Sequence, residues 1–274
     1  KSKTQYRILF DRVFSATKVY MNGKLLTQSG EIGKTQELSK MGSLNIDDYF
    51  SKSIYPMEGD MELIIQMSNF DVNKVYAGLV SQVTLGTKKS IKTKDYMQTV
   101  IPLLMAGILL AMSIYHFILF FCQQHKYATL VFALLSLVFF IRICHVNYLS
   151  SRFLIERTAV DVKLARAFIH MYILLMPLFF YLLFKKYFNK RVVQAILLIS
   201  VLNFCSLFLP THKMLALEEV LFVSILLIIL FLNSVAFRAM MDKEEGATWA
   251  FFGIFIVFLA NLHDILTTLD IFKS

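Results

Sequence analysis

The chain has 274 residues, 57% of them hydrophobic, with 26 Phe, a mean hydropathy of +0.61, a formal net charge of +9 and a pI near 9.4. That is more apolar side chain than a soluble domain of this length buries. The basic residues gather at the ends of apolar runs and in loops, where they anchor a membrane protein, so nucleic-acid binding is set aside.

The chain opens with Lys1-Ser-Lys-Thr-Gln5 and runs directly into Tyr6-Arg-Ile-Leu-Phe10. This is a strand-like run, not the apolar core of a cleavable leader, and the sequence reads as a fragment cut upstream. Val19-Tyr-Met-Asn-Gly-Lys-Leu-Leu26 places Asn-Gly between two β-prone runs. Both turn residues accept positive φ, so a tight hairpin is expected. Met61 to Ser68 and Leu79 to Leu85 are further strand candidates, the latter closed by Gly86. Residues 30–56 are less regular. Short strands with Gly-bearing turns imply a β-sandwich or jelly roll over residues 1–95.

This N-terminal part has no histidine, no Gly-rich phosphate loop and no Cys/His metal spacing, and so reads as a binding module rather than an enzyme. Its acidic residues Asp47, Asp48, Glu58 and Asp60 suit a cation or a sugar hydroxyl, or simply a solvated loop surface. Cys122, Cys144 and Cys205 all fall in or beside apolar segments. They give no disulfide framework and read as small fillers of packed helices.

Residues 96–274 form the membrane part. With about twenty apolar residues per crossing, six helices are predicted, at 99–121, 127–147, 164–184, 192–210, 215–237 and 249–271. If the N-terminal domain lies outside, the basic cluster Lys185, Lys186, Lys190 and Arg191 is cytoplasmic, as the positive-inside tendency asks. Lys88, Lys89, Lys92 and Lys94 then lie just outside, which the rule weights little for a translocated domain. Six crossings return the chain to the outside, so a seventh helix beyond residue 274 is expected. Pro102 fits the first turn of its helix, and Pro177 predicts a kink in the third.

Ionisable residues at bilayer depth are costly unless paired or hydrated. Arg142, in the second helix, and Asp264, in the sixth, fall at similar depth in the outer half, so a pair between them is geometrically allowed. His145 shares a face with Arg142, and Asn261 shares one with Asp264. Arg166 and His170, near the outer end of the third helix, are placed to join them. The constellation has two readings: a packing and orientation device, with Arg142 snorkelling to the interface, or a polar switch beneath the N-terminal domain. His116 lies nearer the inner side, with hydrogen bonding inside the bundle the ordinary role for such a residue. No catalytic or metal-binding motif is present, and no cofactor is implied.

The hairpin run 19–26, Gly30-Glu-Ile-Gly33, Glu62 to Asn69, Gly78-Leu79 and Leu85-Gly86 resemble the extracytoplasmic jelly-roll domain of bacterial seven-transmembrane receptors with diverse intracellular signalling modules. Gly107, Tyr115-His116, Arg142, Asn261 and Asp264-Ile-Leu266 resemble that family's membrane domain. The resemblance implies a multi-pass receptor of the bacterial inner membrane. Its outer domain would take a small, carbohydrate-like ligand, and its bundle would signal to a cytoplasmic kinase, cyclase or phosphatase module. A homodimer is compatible with such outputs. The alternative is a small-molecule transporter with an outer binding domain, although the two halves show no inverted repeat.

Overall fold

Asn22 and Gly23 both take positive φ, 47° and 75°, and close the hairpin between strands β2 (Ala16–Met21) and β3 (Lys24–Ser29). The geometry is the one a two-residue turn needs to match strand twist. The computed structural model describes residues 6–10, 16–35, 37–40, 51–54, 60–68, 70, 83–122, 126–146 and 159–268. Asp47, Asp48, Glu58, Asn69, Gly78 and the first half of the strand expected at 79–85 lie outside the described residues.

Among the described residues, six strands form two antiparallel three-stranded sheets. One has the order β4 (Ser51–Ile54), β1 (Tyr6–Phe10), β6 (Val83–Thr87), and the other β3, β2, β5 (Leu63–Ser68). Ile8 of the first sheet and Val19 of the second are buried in one apolar cluster, flanked by Tyr6, Val83, Leu26 and Ile65. The period of two in each strand sends these side chains to one face. Asn22 anchors the hairpin tip to the neighbouring strand, its Oδ1 accepting from the Glu62 N–H at 2.8 Å. Asp60 is exposed.

After β3 the chain doubles back through a bridge between Glu31 and Lys40, and Gly33 packs directly on the Leu38–Ser39 backbone. A Cβ at Gly33 would fall 2.3 Å from the Leu38 carbonyl carbon, inside any tolerated contact and against backbone that has no rotamer to escape into. Gly33→Ala is therefore expected to destabilise the N-terminal domain by about 1–3 kcal/mol, the usual cost of overpacking. Limited proteolysis of the chain in membranes, comparing cleavage before residue 88 with cleavage in the helices, measures it.

The chain divides into two compact units, Lys1–Met105 with Ile143–Val162, and Ala106–Arg142 with Lys163–Ser274. Helix α1 (Lys88–Cys122) begins directly after β6, with Thr87 Oγ1 accepting from the Ser90 N–H at 3.2 Å as an N-cap. Pro102 therefore lies inside the helix, not in its first turn as the apolar run suggested. Lysine and glutamine are good helix formers, so the helix starts well before its apolar part.

The remaining helices are α2 (Tyr127–Val146), α3 (Ala159–Leu183), α4 (Lys190–Cys205), the short α5 (Thr211–Ala216), α6 (Glu218–Met241) and α7 (Ala247–Thr268). Among the described residues six of these seven helices, all but α5, are long and apolar enough to cross a membrane. In the second unit α6 is the central helix, 44% buried over its apolar window against 11% for α4 and α7. Leu221, Ile225, Ile228, Leu232, Val235 and Ala239 recur along it at helical spacing, and pack on Ile173, Phe180 and Phe184 of α3 and Ile254 of α7. Ala236, Ala239 and Ala247 are fully buried. Small residues of this kind let helix backbones approach closely where lipid offers no hydrophobic drive for association. The Ser113 hydroxyl donates to the Ala133 carbonyl at 2.9 Å, tying α1 to α2 within the same unit.

Cys122 and Cys205 are exposed at the ends of α1 and α4, so the reading as fillers of packed helices applies to the half-buried Cys144 alone.

Candidate functional site

Arg166 and His170 lie one turn apart on α3, on the face turned into the second unit, and are 5% and 3% exposed. Two elements meet that face. The first is the end of α4, which closes in a 3-10 turn, Ser206–Phe208, and brings Asn203 and Ser206 inward. The second is the start of α6, with Leu217, Leu221 and Ser224. Pro210 breaks the chain between them. Its carbonyl accepts from the N–H groups of Lys213 and Met214, both at 3.0 Å, starting α5 and burying Met214. Helices predicted to end at 210 and restart at 215 thus end at 205 and restart at 218, with the short α5 between them. The result is a cleft of about 200 Å³.

The opposite ends of the same helices carry a second polar group. Lys186 and Tyr187 sit in the 3-10 turn Lys185–Tyr187 after α3, and Asp242 and Glu244 in the turn between α6 and α7. The Tyr187 hydroxyl donates to Asp242 Oδ2 at 2.6 Å, and Lys186 Nζ lies 3.2 Å from the same oxygen and 3.7 Å from Glu244 Oε1. Lys243 and Gly246, with φ of 57° and 74°, shape the turn that presents the two carboxylates. The hydrogen bonds from Tyr187 and Lys186 hold the Asp242 carboxyl below its ordinary value, and the bond to Asp242 raises both Lys186 and Tyr187.

A depressed carboxylate stabilises the fold at pH above its ordinary value of 3.8 and loses that contribution as pH falls through the folded value. The difference in Tm between the wild-type chain and Asp242→Asn is therefore expected to hold steady at neutral pH and close below pH 3.8. These groups are exposed, so the difference is small and salt-sensitive. Thermal unfolding across that pH range, at low and high salt, measures it.

Of the other residues singled out in the sequence, Arg142 and His145 are half-buried in the last turns of α2. Asp264 is 85% exposed, with His263 Nδ1 at 3.5 Å from its Oδ1. Asn261 donates to the Val257 carbonyl at 2.8 Å. His116 Nδ1 donates to the Met112 carbonyl at 2.8 Å, and its ring rests on Phe132 with centroids 4.5 Å apart. Pro177 is buried within α3. The structure brings Arg166 and His170 together in one cleft. Asn203, Ser206, Ser224 and the Tyr187–Asp242 bond escaped the sequence reading, which weighed charged and histidine side chains more than neutral polar ones. An Asn or Ser inside an apolar span is the signal that finds the cleft residues.

The described residues hold no group of three or more His, Cys, Asp or Glu able to bind a metal ion. Among the described residues, two small sheets followed by six membrane-length helices, with polar groups gathered at both ends of one helical unit, define a multi-pass membrane protein with an N-terminal β domain. The family model described as 7TM diverse intracellular signalling matches residues 98–274, and the chain belongs to that family. No curated protein and no solved structure matches the chain.

Proposed function

We propose that the chain is a signal receptor of the bacterial inner membrane. Residues 1–95 form an extracytoplasmic domain, of jelly-roll type, that senses a small ligand of carbohydrate-like class, and residues 96–274 relay its state to a cytoplasmic signalling module. The observation that carries this reading is the family match across the helices, on a chain whose N-terminal part folds as β-sheets. A binding module joined to a signalling bundle needs a bistable element that both ends bias. Arg142, His145, Asn261, Asp264 and His170 are the residues assigned to that switch.

Orientation follows from charge. With the N-terminal domain outside and successive spans alternating, the connections carrying Lys185, Lys186, Lys190, Arg191 and Lys243 face the cytoplasm. The cleft around Arg166 and His170 then lies on the extracytoplasmic side. In a cysteine-free background, Lys24→Cys is expected to react with a membrane-impermeant maleimide in intact spheroplasts, and Glu245→Cys only after permeabilisation. Labelling of both from one side, or in the reverse order, would overturn the orientation. Saturable uptake of a sugar by vesicles containing this protein alone would overturn the receptor reading in favour of a transporter.

A further inference from the structure

Helix α1 leaves strand β6 without a linker, and two contacts fix the side it turns to that strand. Ile91 is 2% exposed and packs against Gly86, where an added Cβ would stand 3.2 Å from its Cδ1, and Lys94 Nζ donates to Thr84 Oγ1 at 3.2 Å. Helical spacing sets the other side. Lys88, Lys92, Tyr96, Thr99 and Leu103 recur every three or four residues and so form one stripe, with Lys89 beside its start. Lys88, Lys89 and Lys92 are exposed, as are Tyr96 and Leu103. One face of α1 thus runs from ammonium groups, through an aromatic ring with a polar tip, to an aliphatic side chain.

We infer that this face holds an anionic phospholipid of the leaflet around the start of α1, with its phosphate on the lysines and its acyl chains along the helix below them. Residues 88–96 carry four lysines against one aspartate, Asp95. Among the described residues the side chains of Lys88, Lys89 and Lys92 enter no hydrogen bond or ion pair. Lys88 and Lys92 stand at i,i+4, and Lys89 and Lys92 at i,i+3, spacings at which like charges repel. A counter-charge from outside the segment relieves that repulsion. Depth selects a lipid as its source. At ~1.5 Å rise per residue, Tyr96 lies about 4.5 Å and Lys92 about 10 Å above Thr99, where the apolar run begins. The headgroup layer adds about 5–8 Å beyond the hydrocarbon on each side. Tyr96 therefore sits in that layer, the usual place for an amphipathic ring, and Lys92 at its outer edge. Lys88 and Lys89 follow within about 8 Å, one Debye length at physiological salt. Basic clusters beside a membrane span attract anionic lipid. Because Ile91 and Lys94 tie the same turns to β6, lipid on this face bears directly on the N-terminal domain. Neither the leaflet nor the direction of signalling enters, so the site stands or falls apart from the receptor reading.

The test uses the full chain in nanodiscs, with Trp249→Phe removing the single tryptophan and Tyr96→Trp as the reporter. Its fluorescence is read with phosphatidylglycerol or phosphatidylcholine, brominated on the acyl chains, at equal mole fraction in unlabelled phosphatidylcholine. Phosphatidylglycerol is expected to quench more strongly, and about 0.5 M salt to bring the two lipids together. Lys88→Gln with Lys89→Gln and Lys92→Gln is expected to remove the preference, at roughly fivefold in relative affinity per lysine. Glutamine is a good helix former and the three positions are exposed, so Tm is expected to hold. Should the triple variant fail to fold, Lys92→Gln alone reads the fivefold loss. Lys24→Gln with Lys34→Gln and Lys40→Gln removes the same charge from exposed positions elsewhere in the N-terminal domain, and is expected to keep the preference. An equal loss in that control would assign the effect to total charge and overturn the site. Glycerol phosphate added at constant ionic strength is expected to leave the preference intact; its abolition would show a site for free phosphate and overturn the lipid. Equal quenching by the two lipids with all lysines present, or an undiminished preference in the folded glutamine variants, overturns the inference as well.

Discussion

Replacing Asp264 by Asn is expected to abolish ligand-dependent signalling while the amount of folded protein in the membrane stays at the wild-type level. The structural half of that expectation rests on exposure. The Asp264 side chain is 85% exposed and its neighbour His263 73%, so neither fills a packed position whose loss would open a cavity. Asn keeps the size and one acceptor of the carboxylate, and replaces its charge and second acceptor by a neutral NH2 donor. The signalling half rests on cost, because a carboxylate near bilayer depth is expensive and influences a two-state bundle only through contacts that differ between the states. Coupling of the usual size corresponds to a shift of about 5- to 150-fold in that equilibrium. A reporter of the output, read beside detergent-solubilised size-exclusion profiles of the same cells, measures both halves. Loss of the monodisperse peak would show that Asp264 is a packing device. An unchanged output in folded protein would remove it from the switch. Arg142→Gln, combined with Asp264→Asn, measures whether the two residues act together: coupled residues give a double variant less impaired than the product of the two single effects.

The largest stability effect is expected at the centre of α6. Leu232 is fully buried between α3 and α7, whereas Leu230, two residues away, is 44% exposed on the lipid side. Truncating Leu232 to Ala leaves a void that rigid neighbours cannot refill, and core substitutions of this type cost about 2–5 kcal/mol in water. Inside a bilayer the transfer contribution falls away, because lipid is as apolar as the core, and the lost packing remains. The expected cost is therefore near the lower end, about 2 kcal/mol. Leu230→Ala is expected to cost much less, since lipid chains occupy the space that the side chain leaves. Reversible unfolding in mixed micelles, comparing the two variants, measures the difference; equal costs would mean that α6 is not the packing centre.

Much of the fold was legible in the residues. Six apolar runs of membrane length stood out because each must satisfy its backbone within itself, which forces a helix whatever its neighbours are. The hairpin was legible because Asn22-Gly23 is one of few pairs that accept two successive positive φ values. The helix starts were less so. Composition marks where a span leaves the hydrocarbon and not where a helix begins, and α1 therefore starts at Lys88 and not near residue 99. Of the site, Arg166 and His170 could be named, because charge and imidazole inside an apolar span attract notice. Asn203, Ser206 and Ser224 stand out less, because a neutral polar side chain that bonds a carbonyl within a turn of itself is a weaker mark in an apolar span than a charge.

The sequence by itself determined that this chain crosses a membrane several times behind a strand-built N-terminal part, and which crossings carry charge. Backbone hydrogen bonding and hydrocarbon thickness act on each segment separately, so local composition suffices for those decisions. Only the tertiary structure decided that α6 sits at the centre of its unit, that Tyr187 and Lys186 meet Asp242, and that Arg166 and His170 share a cleft with the end of α4 and the start of α6. Those contacts join residues tens of positions apart. Their partners are chosen by the packing of small and large side chains along facing helices, and no segment records that choice alone.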